Sequence, residues 1–113
     1  MHQLDGAGRH TATTSKHWVE HLRVPDLSVG TYSLPAGGTD PQAPHTEDEL
    51  YVCTGGQATL WTPTRSVPMG PGDVTFVPAG EEHRFVDITE DFTVLVIFGP
   101  AEYTRLSEPR RST

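Results

Sequence analysis

The stretch "GDVTFVPAGEEH", residues 72 to 83, decides how this chain is read. Val74 to Val77 is a short run of β-branched and aromatic residues, flanked by Gly72-Asp73 on one side and Pro78-Ala79-Gly80 on the other. Such a run between turn-forming residues reads as a strand leaving one turn and entering the next. A second strand-like segment, "HRFVDI", follows from residue 83. Gly72, Pro78, Gly80 and His83 therefore stand at the intervals G-x5-P-x-G-x2-H.

Outward from this stretch the same alternation continues. "HWVEHL", "LSVGTYSL", "DELYVCT", "QATLWT" and "TVLVIF" are strand-like, separated by turns such as "LPAGGTDPQAP", "TGGQ" and "PMGPGD". With 11 Gly and 10 Pro in 113 residues, the punctuation is too dense for a helical bundle and fits an all-β fold of seven or more short strands. One domain fits this length. It is expected over residues 16–103, between a loose N-terminal arm over 1–15 and a loose tail over 104–113, both polar and without periodicity. "TVLVIF" is apolar on both faces, which predicts a strand covered on both sides, within the sheet structure or at a subunit contact, and gives a reason to expect a homodimer.

A second informative stretch is "PHTEDELYVCTGG", residues 44 to 56, in which His45, Glu49 and Gly56 stand as H-x3-E-x6-G. Taken with G-x5-P-x-G-x2-H further along, the chain resembles the cupin superfamily over roughly residues 28 to 98, both motifs being in the family's order. Two departures are visible. The family's first-motif histidine falls on Ala43, and the asparagine that closes its second motif falls on Asp87.

The resemblance implies a small antiparallel β-barrel of the double-stranded β-helix, or jelly-roll, type with a metal held inside near one open end. It implies His45, Glu49 and His83 as three of four ligand positions. The alternation of a strand agrees: His45, Glu49 and Tyr51 share a face if the strand is regular from 45 to 51, and His83, Phe85 and Asp87 share one on a later strand. Two imidazoles and a carboxylate with open positions suit Fe(II) or Zn(II), with Mn(II) and Ni(II) as further candidates. Gln42 and Glu47 are additional candidate ligands, Gln42 as a substitute for the histidine missing at Ala43. Tyr51 and Phe85 are the candidate substrate-pocket residues. A metal-free barrel in which these groups bond one another and water is the competing arrangement.

The implied function is a metal-dependent enzyme on a small organic molecule, by oxygenase (dioxygenase-like), isomerase, cyclase or other rearrangement chemistry. The alternatives are a non-catalytic small-molecule sensor and an accessory module of a larger biosynthetic enzyme. Eight Lys and Arg against 15 Asp and Glu give a formal charge of −7, which disfavours nucleic acid and anionic membrane surfaces as partners. A lone Cys53 permits no intrachain disulfide and reads as a small buried apolar group. No apolar run has the length of a signal peptide core or a membrane span, so a cytoplasmic protein is expected. His17 and His21, four apart, read as surface histidines, and Arg84 should point away from the face that His83 occupies.

Overall fold

Residues 1–4, 17–41 and 43–105 are described by the structure, a computed structural model. Most of the expected arm and tail, and Gln42, lie outside these residues. Eight strands follow one another: β1 Trp18–Val24, β2 Leu27–Leu34, β3 Asp48–Gly55, β4 Ala58–Trp61, β5 Ser66–Met69, β6 Val74–Val77, β7 Arg84–Val86 and β8 Phe92–Gly99. Among the described residues no helix is long and apolar enough to cross a membrane. The strands form two antiparallel sheets, one of five strands in the order β1-β2-β8-β3-β6 and one of three in the order β5-β4-β7. The expected all-β architecture is present.

Each predicted strand appears, and β5 adds one that the sequence reading left in a turn. It carries Pro68 opposite Thr59 of β4. A proline cannot donate to a ladder, and β5 accommodates it because it is an edge strand with β4 as its one neighbour.

The two sheets bury one core between them. On β3, Glu49, Tyr51 and Cys53 face inward while Leu50 is exposed, the period-two pattern of a strand with one buried face. On β8, Phe92, Val94, Val96 and Phe98 are inward and buried. Rings from both sheets meet there: Tyr51 packs edge-on against Phe85, and Phe85 against Phe92, each at 4.8 Å between centroids. The outward residues of β8, Leu95 and Ile97, are half-buried, so its second side is only partly covered within one chain. Cys53 lies in this core, its thiol directed at the Gly55 carbonyl, and burial pushes its pKa up.

Two local expectations change. β3 begins at Asp48, with a bend at Thr46-Glu47, so strand parity does not govern His45 or Glu47. β7 ends at Val86, and Asp87 is exposed at φ 50° rather than facing inward. That left-handed conformation is one that Asn and Asp tolerate better than other side chains, which gives the physical reason an aspartate can stand where the resemblance asks for asparagine.

The hairpin glycine Gly56 is required twice over. Its φ is +81°, and a Cβ there would meet the Asp91 carbonyl oxygen at 2.0 Å. Gly56→Ala should therefore lower unfolding stability by about 2 kcal/mol or more, whereas Gly55→Ala, which meets nothing within 4 Å, should cost well under half as much. Urea titration of both variants checks the difference.

Candidate metal centre

Three side chains from separate parts of the chain converge at one end of the buried interior. Glu49 comes from an interior strand of the five-stranded sheet, β3, paired with Val77 of the edge strand β6 on one side and Phe98 of β8 on the other. His83 enters from the residue before β7, and His45 from the loop before β3. Both loops are held in place by backbone. The Gly80 N–H donates to the His45 carbonyl at 2.8 Å, and the Ala79 N–H donates to Asp48 Oδ1 at 2.8 Å. The turn of the first quoted stretch is thereby fastened to the segment that carries the other two groups. Gly80 takes φ +79°, a conformation open to glycine at little cost.

The donor atoms of His45, Glu49 and His83 all lie within 4.8 Å of one another. His83 Nε2 is 2.8 Å from Glu49 Oε1, and His45 Nδ1 is 3.5 Å from the same oxygen. None of these approaches is aligned as a hydrogen bond: His45 Nδ1 and both Glu49 oxygens are buried without a hydrogen-bond partner. Buried polar atoms without partners are rare and costly. Here they point at one another.

The remaining ring nitrogens are both engaged. His83 Nδ1 donates to the Glu81 carbonyl at 2.7 Å. His45 Nε2 lies 3.1 Å from Glu102 Oε2. Each imidazole thus spends one nitrogen on an outer acceptor and turns the other inward, the arrangement found around histidines that bind a metal. Two inward nitrogens and one carboxylate suit a divalent ion with open positions.

The sequence profile of the cupin domain matches residues 30–98, more than half of the chain. The chain is a cupin. An uncharacterized protein of Streptomyces coelicolor is 39% identical over 100 residues, covering 88% of this chain and 95% of that one. Among solved structures, the DMSP lyase DddQ of Ruegeria pomeroyi superposes with a TM-score of 0.63 at 27% identity, over 67% of this cupin and 39% of the lyase, so the chain spans about two-fifths of that enzyme. KdgF of Halomonas sp. superposes at 0.66 with 20% identity, over 74% of this chain and 76% of that one. An RmlC-like cupin of Desulfovibrio desulfuricans superposes at 0.67 with 16% identity, over 89% and 91%.

A cavity of about 260 Å³ opens onto this centre in the cupin. His45, Glu49, Tyr51 and Glu102 form its polar part, and Trp18, Tyr32, Pro41, Val96, Phe98 and Tyr103 its remaining walls. Tyr51 reaches the centre itself, its hydroxyl 2.9 Å from His83 Nε2. Phe85 does not line the cavity; it packs behind Tyr51 in the core. Glu47 is turned elsewhere. Its carboxylate accepts from the N–H groups of Tyr103 at 2.7 Å and Arg105 at 3.0 Å, and from the Thr46 hydroxyl. Gln42 lies outside the described residues. His17 Nδ1 meets the Ser33 carbonyl at 3.0 Å. His21, expected at the surface, is half-buried at a β-bulge of β1, with Nε2 2.7 Å from Thr31 Oγ1. Arg84 stacks over Trp61, 5.1 Å from the ring centroid, away from the centre.

Two residues of this region were not visible in the sequence reading, Glu102 and Tyr103. They lie beyond the span of either motif, in a turn that gains its meaning only when β8 carries it to the mouth of the cavity.

Charge tunes the centre. Burial disfavours the His45 imidazolium, but the carboxylates of Glu102 and Glu49 outweigh it and raise the ring to about 9. Burial acts on His83 the same way, and Glu49 with the Glu81 carbonyl turns the balance upward. Glu49 is lowered in turn, burial opposing and the two histidines prevailing. In the metal-free protein the stabilising imidazolium of His45 is fully present below its ordinary value of about 6.5 and lost as pH rises through about 9. A bound ion needs the neutral ring, so metal affinity should rise over that same interval. Thermal melts from pH 6 to 9.5 should show the chelator-treated protein losing stability with rising pH, His45→Gln flattening that loss, and added Zn(II) stabilising most at the alkaline end.

Proposed function

We propose that this cupin is a metal-dependent enzyme acting on a small, largely apolar organic molecule that carries no net negative charge. The observation that carries the reading is the set of inward-facing, unpartnered atoms of His45 and Glu49, with His83 beside them, at the end of a cavity walled by aromatic side chains. An ion bound by His45, Glu49 and His83 would supply Lewis acidity toward a carbonyl or enolate oxygen, or, as iron, a site for dioxygen chemistry.

The chain's own residues set what can react there. Trp18, Tyr32, Val96 and Phe98 offer apolar walls that exclude water from the reacting end. The Tyr51 hydroxyl, beside His83 Nε2, offers a proton donor to a substrate oxygen. No lysine or arginine lines the cavity among the described residues, and Glu49 and Glu102 make its polar end acidic. With a divalent ion bound, the charges of Glu49 and Glu102 would offset it, so beyond the ion itself the protein offers an anionic substrate no net attraction, which favours a neutral molecule or one with a positive group. At about 260 Å³ the cavity is slightly below the usual span of ligand sites, roughly 300 to 1,000 Å³, which favours a small substrate. That one structural neighbour is a lyase of known substrate supports an enzymatic role for a barrel of this kind.

Protein purified without chelator should contain about one divalent ion per chain by elemental analysis, and His45→Ala and His83→Ala should each reduce it to background. Turnover of a panel of neutral and cationic small metabolites should disappear in the same variants, with oxygen uptake marking iron-dependent oxygenase chemistry and its absence marking isomerisation, cyclisation or elimination. No metal in the wild type, together with ligand binding unaffected by His45→Ala, would establish a binding module instead.

A further inference from the structure

We infer that Trp18 sets the size limit of the cavity, holding it to ligands with a single ring, and that the missing side chain at Gly30 is what lets the indole sit there. The inference rests on the reading of this cavity as the ligand site, and it concerns two residues outside both sequence motifs.

Cross-strand pairing fixes which way position 30 faces. Gly30 of β2 stands opposite Val96 of β8, and residues directly opposite in an antiparallel pair share a face. Val96 is buried and lines the cavity, so position 30 points into the barrel as well. The space in front of it is filled from the neighbouring strand. A Cβ on Gly30 would stand 2.2, 2.5 and 2.8 Å from Cη2, Cζ2 and Cζ3 of Trp18. Carbon atoms in contact lie about 3.5–4.0 Å apart, so the six-membered end of the indole rests directly on the Gly30 backbone. Trp18 reaches it from β1, where it pairs with Tyr32, two residues on from Gly30 and on the same face.

Nothing else about position 30 asks for glycine. Its φ is not positive, and it lies inside a strand paired on both sides, where glycine is a poor choice unless another group comes close. The indole is that group. It also meets Phe98 edge-on, with centroids 6.1 Å apart and planes at 74°, and Phe98 lies 4.8 Å from the His45 ring. The rings of Trp18, Phe98 and His45 thus follow one another from the cavity wall to the metal centre. Because Glu49 and His83 come from other parts of the fold, a change at Trp18 removes a wall and leaves the inward-facing acid and His83 in place. The space left beside the indole is about 260 Å³, and truncating Trp18 would open room for a second ring.

Two measurements on the full chain test this. The first needs neither ligand nor metal. Gly30→Ala should lower the midpoint of thermal unfolding by roughly 5 °C or more, and the same change in a Trp18→Ala background should lower it by less than about 2 °C, because the atoms nearest the added methyl are gone. If Trp18→Ala does not fold by circular dichroism, Trp18→Val takes its place. Equal losses in the two backgrounds would overturn the seating of the indole on Gly30. The second measurement uses Co(II)-loaded protein with imidazole and 4-phenylimidazole as probes, followed by visible absorption. Wild type should bind 4-phenylimidazole at least about 10-fold more weakly than imidazole, and truncation of Trp18 should abolish that preference while leaving imidazole binding little changed. Equal affinity of wild type for the two probes, or a preference that survives truncation, would overturn the size limit while leaving the metal centre intact. Co(II) uptake with no response to either probe would overturn the ligand-site reading, and failure to take up Co(II) would overturn the metal reading; the size limit falls with either.

Discussion

A carboxylate taken out of water must be given something positive, or it will protonate or unfold the structure around it. Glu49 is 2% exposed, on an interior strand of a five-stranded sheet, and neither of its oxygens has a hydrogen-bond partner. Much of the rest of the molecule can be understood as the answer to that one placement. The sheet supplies a rigid strand, and the two loops that bring His45 and His83 supply the compensating groups. Without an ion the histidines fill that role as imidazolium, which is why the carboxylate is lowered and both rings are raised. With an ion bound, the two rings would be released from holding protons and the carboxylate would keep its charge. A bound ion would thus meet the same electrostatic demand that the imidazoliums meet without it, and pH would shift the balance between the two.

Placing those groups requires backbone, and the backbone is held by short-range devices. The Gly80 N–H on the His45 carbonyl and the Ala79 N–H on Asp48 join a turn from one sheet edge to the loop before β3. Asp40 adds a further tie, accepting from the Tyr32 hydroxyl at 2.6 Å and from the Phe85 N–H at 2.8 Å. Each such bond is worth about 1 kcal/mol net, so their importance lies in geometry more than in stability. A metal centre displaced by 1 Å at one ligand is a different centre, and these bonds set that position.

What could be read from sequence follows the same division between local and non-local physics. Strand identity at Val74–Val77 and Asp48–Gly55, and the turns between strands, depend on neighbours in the chain, and they were readable from residue type and spacing. His45, Glu49 and His83 were readable because the resemblance pairs two motifs whose spacing encodes the loops. β5 was missed because Pro68 argues against a strand unless the strand is known to lie at an edge. Glu47 was misread because parity was extended through a bend at Thr46-Glu47 that nothing in "HTEDE" announces. Phe85 shares a side with His83 yet lies behind Tyr51, since facing inward in a barrel does not distinguish the cavity wall from the core. Glu102 was beyond reach for a plainer reason: its partner is contributed by a loop more than half the chain away.

That last distance bears on how the fold carries its chemistry. The motifs place three side chains that could hold a metal, but a histidine has two nitrogens and the motif does not choose between them. For His83 the choice is made locally, by the carbonyl of Glu81 in the same turn. For His45 the outer partner is Glu102, on a turn that arrives after the last strand and is secured by Glu47, a residue between His45 and Glu49 in the chain. Binding chemistry that looks confined to two short stretches thus depends on the chain having completed its final strand. In a fold whose strands are paired mostly across long sequence separations, β3 against β8 among them, the centre is assembled only when the sheet is.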